Sequence, residues 1–415
     1  MQKHPFVMPM DKNIFILSNF LKAEQDNVEV YVVGGAVRDF LLHKFHGDST
    51  EEFKPKDYDI TTNLSEEEIL ERLQTPLAKK HGIKVKEKTS IDTFGVVFVN
   101  FRGKNYEVSP FRVDVGGDGR RPEKTQRGTL LEDAMRRDFT INNLYYDFEK
   151  EVILDLNPNN SGIRDIQRKM IRCVGSPMQR FFEDKLRILR MVRFFSRFDE
   201  GYITHNLDSE HIDAVLKFIE LEGISSERIQ AEFCLGIEQS KYTEGYLKSL
   251  KNLGLTPRMF PSLEIDFEGF RKIRNHKGIC SILAWMFRKN KDMDKHLNCL
   301  KYPKEISETV QFLINLFNSY DDDIFELVRF RNRHPKEGNY VEDIMFLANC
   351  NGEYSKYLRL KHFSQYIPPV IDSYELMRNG FEGPQIGQEQ KRITNEHYGL
   401  DHEKFIRNHF ETVLF

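Results

Sequence analysis

The stretch VEVYVVGGAVRDFLL, residues 28–42, constrains this chain more than any other. Its first half is apolar and β-branched, the pattern of a buried strand. Gly34 and Gly35 end that strand, and AVRDFLLHKF then reads as the start of a helix. A strand that passes through a glycine pair into a helix is an α/β element. With no Cβ on either residue, the backbone can come close to a phosphate. The helix start adds free N–H groups and partial positive charge. Arg38, one turn in, adds a fixed planar cation. A plain tight turn is the other reading of the glycine pair taken alone.

KPKDYDITTN (54–63) follows closely, with Asp57 and Asp59 on either side of Tyr58. On a strand, residues two apart share a face, so both carboxylates point one way and the tyrosine the other. Two acids held together repel unless a cation lies between them. A hard, oxygen-seeking divalent ion, Mg²⁺, suits the pair; two solvated acids in an exposed turn is the alternative. Glu107, in KNYEVSPFRV, is the candidate third acid, on a strand whose same-face neighbours Asn105 and Ser109 are also polar. That segment and TFGVVFVNFR form a hairpin through Gly103-Lys104-Asn105. LSEEEILERL (64–73) is a helix, with Ser65 as its N-cap and acids in its first turn.

From about residue 164 the texture becomes helical and stays so to the end, in segments such as RDIQRKM, FFEDKLRILRMVRFFSRF, SEHIDAVLKFIELEG, SERIQAEFCLGIEQ, GICSILAWMFRKN, PKEISETVQFLINLFNSY and VEDIMFLANC. The fold class is therefore an α/β head with a mixed sheet followed by an all-α remainder. At 415 residues with 40% hydrophobic content, several packed domains are expected. Net charge is −3, so any nucleic-acid surface must be a local patch. The five cysteines form no CxxC pair, which argues against a zinc or dithiol site. No apolar run reaches the roughly 18 residues of a membrane span, and MQKHPFVMPMDKN has no secretory pattern, so a cytoplasmic protein is expected.

Two further clusters carry chemistry. In LEDAMRRDFTINNL (131–144), Arg137 is placed to reach nucleotide phosphates, and Asp138 and Asn142 to bond a ribose hydroxyl; an ion pair capping a helix is the other reading. In FFEDKLRILRMVRFF (181–195), helical spacing makes Asp184 and Arg187 neighbours, and Arg190 and Arg193 continue the series. One Asp–Arg pair can select bases. Cytosine and adenine both show an amino donor beside a ring acceptor, which a carboxylate and a guanidinium complement. Uracil and guanine show the reverse. Mismatched buried polar groups reject by up to about 10⁴–10⁵.

GGAVRD (34–39) with DYD (57–59) resembles motif A of the class II tRNA nucleotidyltransferases, the CCA-adding enzymes, within the family they share with bacterial-type poly(A) polymerases. RRDFTIN (136–142) resembles motif B, EDKLRILR (183–190) the nucleotide-reading motif, SSERIQAEF (225–233) the last neck motif, and VDVGGDGRRPEKTQRGTLLED (113–133) the flexible loop before motif B. The resemblance implies a nucleotidyltransferase head at 1–163, then a helical neck at 164–262, body at 263–340 and tail at 341–415. It implies that Asp57 and Asp59 bind the catalytic Mg²⁺. Gly34, Gly35, Arg38 and Arg137 would bind the nucleotide, and Asp184 and Arg187 would read its base with support from Arg190 and Arg193. The implied substrates are CTP, ATP and the tRNA 3′ end, with the acceptor and TΨC region as the binding partner. Three departures stand out: an insertion over 43–55, Asn143 where the family commonly has a small residue, and Lys185 where it commonly has a proline.

Overall fold

The computed structural model describes residues 2–413 apart from 24, 26, 48–52, 56, 87–94, 116–123, 158–160, 199–202, 204–206, 273–277, 291–292, 319–323, 334–341 and scattered positions over 343–351. The chain divides into two compact units, Met1–Ile224 and Ser225–Phe415.

The first unit is built on an eight-stranded mixed sheet. Its strands are β1 (Gln2–Pro5), β2 (Val30–Val33), β3 (Asp59–Thr62), β4 (Ile83–Val85), β5 (Val97–Phe101), β6 (Lys104–Pro110), β9 (Leu144–Asp147) and β10 (Val152–Asp155). Strands β7 (Arg112–Val115) and β8 (Lys124–Arg127) form a separate antiparallel ribbon. The order across the sheet is β1-β10-β9-β2-β3-β6-β5-β4. β3 and β6 run parallel and place Asp59 opposite Glu107; β2 and β3 run antiparallel and place Val33 opposite Asp59. All four residues of β2 are buried, as its apolar run predicts.

The helices of this unit are α1 (Lys12–Lys22), α2 (Gly35–His46), α3 (Glu66–Leu73), α4 (Pro76–Lys80), α5 (Leu130–Met135), α6 (Gly162–Gln167), α7 (Pro177–Glu183), α8 (Leu186–Phe195) and α9 (Ser209–Phe218). α3 starts as expected, in a reciprocal cap: Ser65 Oγ accepts the Glu68 N–H, and Glu68 Oε2 accepts the Ser65 N–H. Tyr31, Val33, Phe111, Ala134, Tyr145, Leu154 and Leu156 form a core cluster beside the end of β2.

Two local expectations are corrected. The β5–β6 turn is not Gly103-Lys104-Asn105 but Arg102-Gly103, with φ of 50° and 79°, and Lys104 already pairs with Phe101. A two-residue turn with both φ positive matches the twist of the flanking strands. Residues 181–198 are not one helix. The chain leaves α7 at Asp184 (φ −150°, ψ 104°) and re-enters helix at Leu186, whose N–H bonds to Asp184 Oδ1 at 3.1 Å. The carboxylate thus satisfies one orphan donor of the new helix, as a short acid commonly does at such an end.

The second unit is helical throughout its described residues, with helices including Ser226–Gln239, Thr243–Asn252, Ile279–Phe287, Lys304–Asn318, Tyr354–Gln365 and Pro384–Val413. VEDIMFLANC (341–350) lies largely outside the described residues, as does the glycine-rich part of the loop at 116–123.

Candidate active site

Gly34 turns between β2 and α2 with φ 71° and ψ −121°, a conformation closed to side-chain-bearing residues. A Cβ there would stand 3.4 Å from Asp59 Oδ2 and 3.9 Å from Arg137 Nη1; one on Gly35 would stand 3.8 Å from Arg38 Nη2. The turn therefore opens onto a carboxylate and two guanidinium ends, at the N-terminus of a 12-residue helix.

Both guanidinium groups are held by their other nitrogens. Arg38, nearly buried on α2, donates from Nε to Asp39 (2.7 Å) and from Nη1 to Asn142 Oδ1 (2.7 Å). Asp39 also receives Arg197 at 2.9 Å. Arg137 donates from Nε to the Tyr145 hydroxyl (2.8 Å) and from Nη2 to Asp133 Oδ2 (2.9 Å). Arg38 Nη2 and Arg137 Nη1 have no hydrogen-bond partner among the described residues. They are the two donors left to face the glycine turn.

Asp57 and Tyr58 precede β3, which begins only at Asp59 and not at Asp57 as expected, yet burial still alternates: Asp57 and Asp59 are exposed and Tyr58 between them is buried. The carboxylates of Asp57, Asp59 and Glu107 have no hydrogen bond or ion pair among the described residues. Loss of hydration raises the Asp59 pKa, and Asp57 adds to this, while Arg137 and Arg38 pull the other way. Glu107 is raised by burial and then by Asp59 and Asp57. Partnerless acids that repel one another are an all-oxygen set suited to a hard divalent cation. No three His, Cys, Asp or Glu side chains among the described residues are grouped closely enough to hold an ion by themselves. Asp57 and Asp59 could supply two ligands to a hard divalent cation, with the rest of a shell left to substrate and water.

Asp138 sits between the two arginine groups. Its Oδ2 accepts Arg190 Nε and Nη2 (3.0 and 2.8 Å), and its Oδ1 accepts Asn142 Nδ2 (2.9 Å) and the Phe139 N–H (2.8 Å). Burial alone would raise its pKa, but Arg190 and Asn142 hold it down at about 2. A continuous path therefore runs Arg190–Asp138–Asn142–Arg38. Arg38, Arg190 and Arg193 also gather on one ring, Phe194, at 4.7, 5.3 and 4.2 Å from its centroid.

Asp184 and Arg187 remain near each other across the helix break, since the Arg187 N–H bonds the Asp184 carbonyl at 3.0 Å. The Arg187 side chain, however, is tied to Glu183 Oε2 (2.7 Å) and the Arg180 carbonyl (3.1 Å).

Sequence reasoning missed Asp133, Tyr145, Glu183 and Phe194. The spacing of Asp133 to Arg136 and Arg137 on α5, three and four residues, was a usable signal for the first. The other three read as ordinary core or surface positions.

Residues 30–172 match the family model described as the poly A polymerase head domain. The mouse mitochondrial CCA tRNA nucleotidyltransferase 1 is 30% identical over 70% of this chain, a match spanning 63% of that protein, just under two thirds of its length. A CCA-adding enzyme of Pediococcus pentosaceus is 29% identical over 90% of each chain. Among solved structures, the Bacillus stearothermophilus CCA-adding enzyme in complex with CTP shares the fold with a TM-score of 0.66 at 20% identity, over 97% of this chain and 100% of that one. Motifs in order, a mixed-sheet head with two arginines and an acid gathered at one glycine turn, and these comparisons agree: residues 30–172 match a poly A polymerase head domain, and the chain is similar over most of its length to CCA-adding enzymes.

Proposed function

We propose that this chain is a template-independent CCA-adding enzyme, which joins C, C and A from CTP and ATP to the 3′ end of tRNA and releases pyrophosphate. The observation that carries the reading is the convergence on the Gly34–Gly35 turn of two free guanidinium ends and the exposed carboxylate of Asp59, which Asp57 in turn repels. The curated relatives named for this activity point the same way.

In this reading the triphosphate lies on the glycine turn, against the first N–H groups of α2, Arg38 Nη2 and Arg137 Nη1. Asp57 and Asp59 hold Mg²⁺, with Glu107 beside them. When bound, the ion would supply a lowered pKa for the attacking 3′-hydroxyl and an offset for charge on the departing pyrophosphate. No side chain is required as general base. Asp184 and Arg187 read the amino and ring-nitrogen edge of cytosine or adenine, Arg190 and Arg193 support them, and Asp138 and Asn142 lie on the ribose side. The four-part division at 163, 262 and 340 belongs to the same reading. The tRNA acceptor and TΨC region would be held by the helical domains, mainly through phosphates. The enzyme works in the cytoplasm in this reading; no helix among the described residues is long and apolar enough to cross a membrane.

The test is a tRNA lacking its terminal CCA, incubated with Mg²⁺ and CTP, ATP or both, with the products sequenced. CTP alone should give CC, both together CCA, and ATP alone nothing. An oligo(A) tail, or no extension, would overturn the reading.

A further inference from the structure

Arg137 owes its orientation to a residue outside every motif noted above. Tyr145 is fully buried in the core cluster on β9, where it pairs with Val33, the residue just before Gly34. Its hydroxyl donates to Asp133 Oδ2 at 2.7 Å and accepts Arg137 Nε at 2.8 Å. The same Oδ2 takes Arg137 Nη2 at 2.9 Å. Hydroxyl, carboxylate and one edge of the guanidinium thus close a ring of three hydrogen bonds. The Arg137 guanidinium carbon also lies 5.1 Å from the Tyr145 ring centroid. Two of three nitrogens are fixed from an interior strand, and Nη1 is the one that remains, turned to the glycine pair.

We infer that Tyr145, acting with Asp133, is a positioning residue for nucleotide addition: it fixes Arg137 so that Nη1 alone is presented to the phosphates of the incoming nucleotide. This rests on the function proposed above. An arginine side chain free to rotate surrenders conformational entropy when it binds; one already held does not. Because the clamp acts on phosphate and not on base, CTP and ATP should depend on it equally.

Tyr145→Phe removes one oxygen and keeps the ring, so it tests the clamp with little change in packing. In the full chain, acting on tRNA that lacks its CCA end, the KM for CTP and for ATP should each rise about three- to tenfold by a common factor. The KM for tRNA should not move, and kcat should stay within about twofold. In an Arg137→Lys background the same substitution should add less than about twofold, since the group it positions is gone. An unchanged triphosphate KM, an equal rise in the tRNA KM, or full additivity with Arg137→Lys would overturn the inference. Should Tyr145→Phe not fold, nuclear magnetic resonance of wild-type protein decides. The Arg137 Nε–H signal, assigned by its loss in Arg137→Lys, should exchange slowly with and without CTP; exchange as fast as an exposed arginine's would refute the clamp. Wild-type protein that extends no tRNA would instead bring down the proposed function, and the resonance experiment would still judge the clamp.

Discussion

Asp133→Asn offers the sharpest test of how the charges around the glycine turn are kept in place. Asp133 has no solvent exposure. Its Oδ1 accepts Arg136 Nε and Nη2 at 3.0 and 2.6 Å, and its Oδ2 accepts Arg137 Nη2 and the Tyr145 hydroxyl. Burial by itself would raise its pKa; Arg137, Arg136 and Tyr145 bring it down to about 2, against an ordinary 3.8. A gap of nearly two pH units, at about 1.4 kcal/mol each, means that ionised Asp133 stabilises the fold by about 2–3 kcal/mol at neutral pH. The folded pKa is the lower one. The contribution is therefore complete above roughly pH 4–5 and is lost as pH falls towards 2. In Asp133→Asn one amide oxygen remains for two guanidinium groups, and an N–H₂ faces one of them. The full loss at pH 7 should be about 3 kcal/mol, the low end for a broken buried pair, since both arginines keep some solvent contact. Urea unfolding of both proteins, followed by circular dichroism at pH 7 and pH 3, measures this. The difference should shrink by about 1 kcal/mol at pH 3, where the wild-type carboxylate is already losing its advantage. Asp138, also held at about 2, titrates in both proteins and cancels. A difference under about 1 kcal/mol at pH 7, or the same difference at both pH values, would refute the reasoning.

Two other outcomes follow from particular contacts. Gly34→Ala forces a side chain into a left-handed conformation and sets a methyl group between Asp59 and Arg137; unfolding free energy should fall by about 1–3 kcal/mol and nucleotide addition by about 100-fold, measured by urea titration and by tRNA extension. In the second unit, His402 Nδ1 meets His362 Nδ1 at 3.1 Å while His362 Nε2 is bonded to Asp401. Burial lowers the His402 pKa from 6.5, with His362 and Arg359 adding and Asp401 opposing. Protonation is thus disfavoured in the folded state, and stability present above about pH 6.5 is lost as pH falls below it. Amide protection in the helix Tyr354–Gln365, taken relative to the intrinsic exchange rate at each pH, should fall as pH drops below 6.5, and His402→Asn should flatten that dependence; identical pH profiles would count against it.

What could be read from the sequence was local. The β2–Gly-Gly–α2 element, the Ser65 cap and the alternation of Asp57, Tyr58 and Asp59 all rest on periodicity or on a few neighbouring residues, and all three are present. The pairing of β3 with β6, which puts Glu107 beside Asp59, depends on sheet order across almost fifty residues, and no local pattern encodes it. Tyr145 escaped for a related reason. On an interior strand a buried tyrosine reads as core, and only the tertiary placement of Asp133 and Arg137 gives its hydroxyl two charged partners. Phe194 looks like one more apolar residue on an amphipathic helix, yet three arginines gather around its ring. The break at Asp184 was hidden because helical periodicity continues on both sides of it. A two-residue interruption leaves the apolar spacing nearly intact.

The sequence treats Asp138 and Asn142 as equivalent candidates for a ribose hydroxyl, and the hydrogen-bond count separates them. An ionised carboxylate accepts at about four lone-pair sites. Asp138 already accepts four bonds: two from Arg190, one from Asn142 and one from the Phe139 amide. A ribose hydroxyl could bond to it only by displacing one of these, and displacing Arg190 would detach α8 from the path that leads to Arg38. Asn142 is differently placed. Its oxygen accepts one bond from Arg38 and its nitrogen donates one to Asp138, which leaves a lone pair and a hydrogen. In the proposed reading Asn142 can therefore meet a sugar hydroxyl without breaking anything, as donor or as acceptor. Asp138 serves instead as the joint that fixes Arg190 on α8 relative to Arg38 on α2. A nucleotide bound across both would then meet two arginines whose spacing the protein has already set.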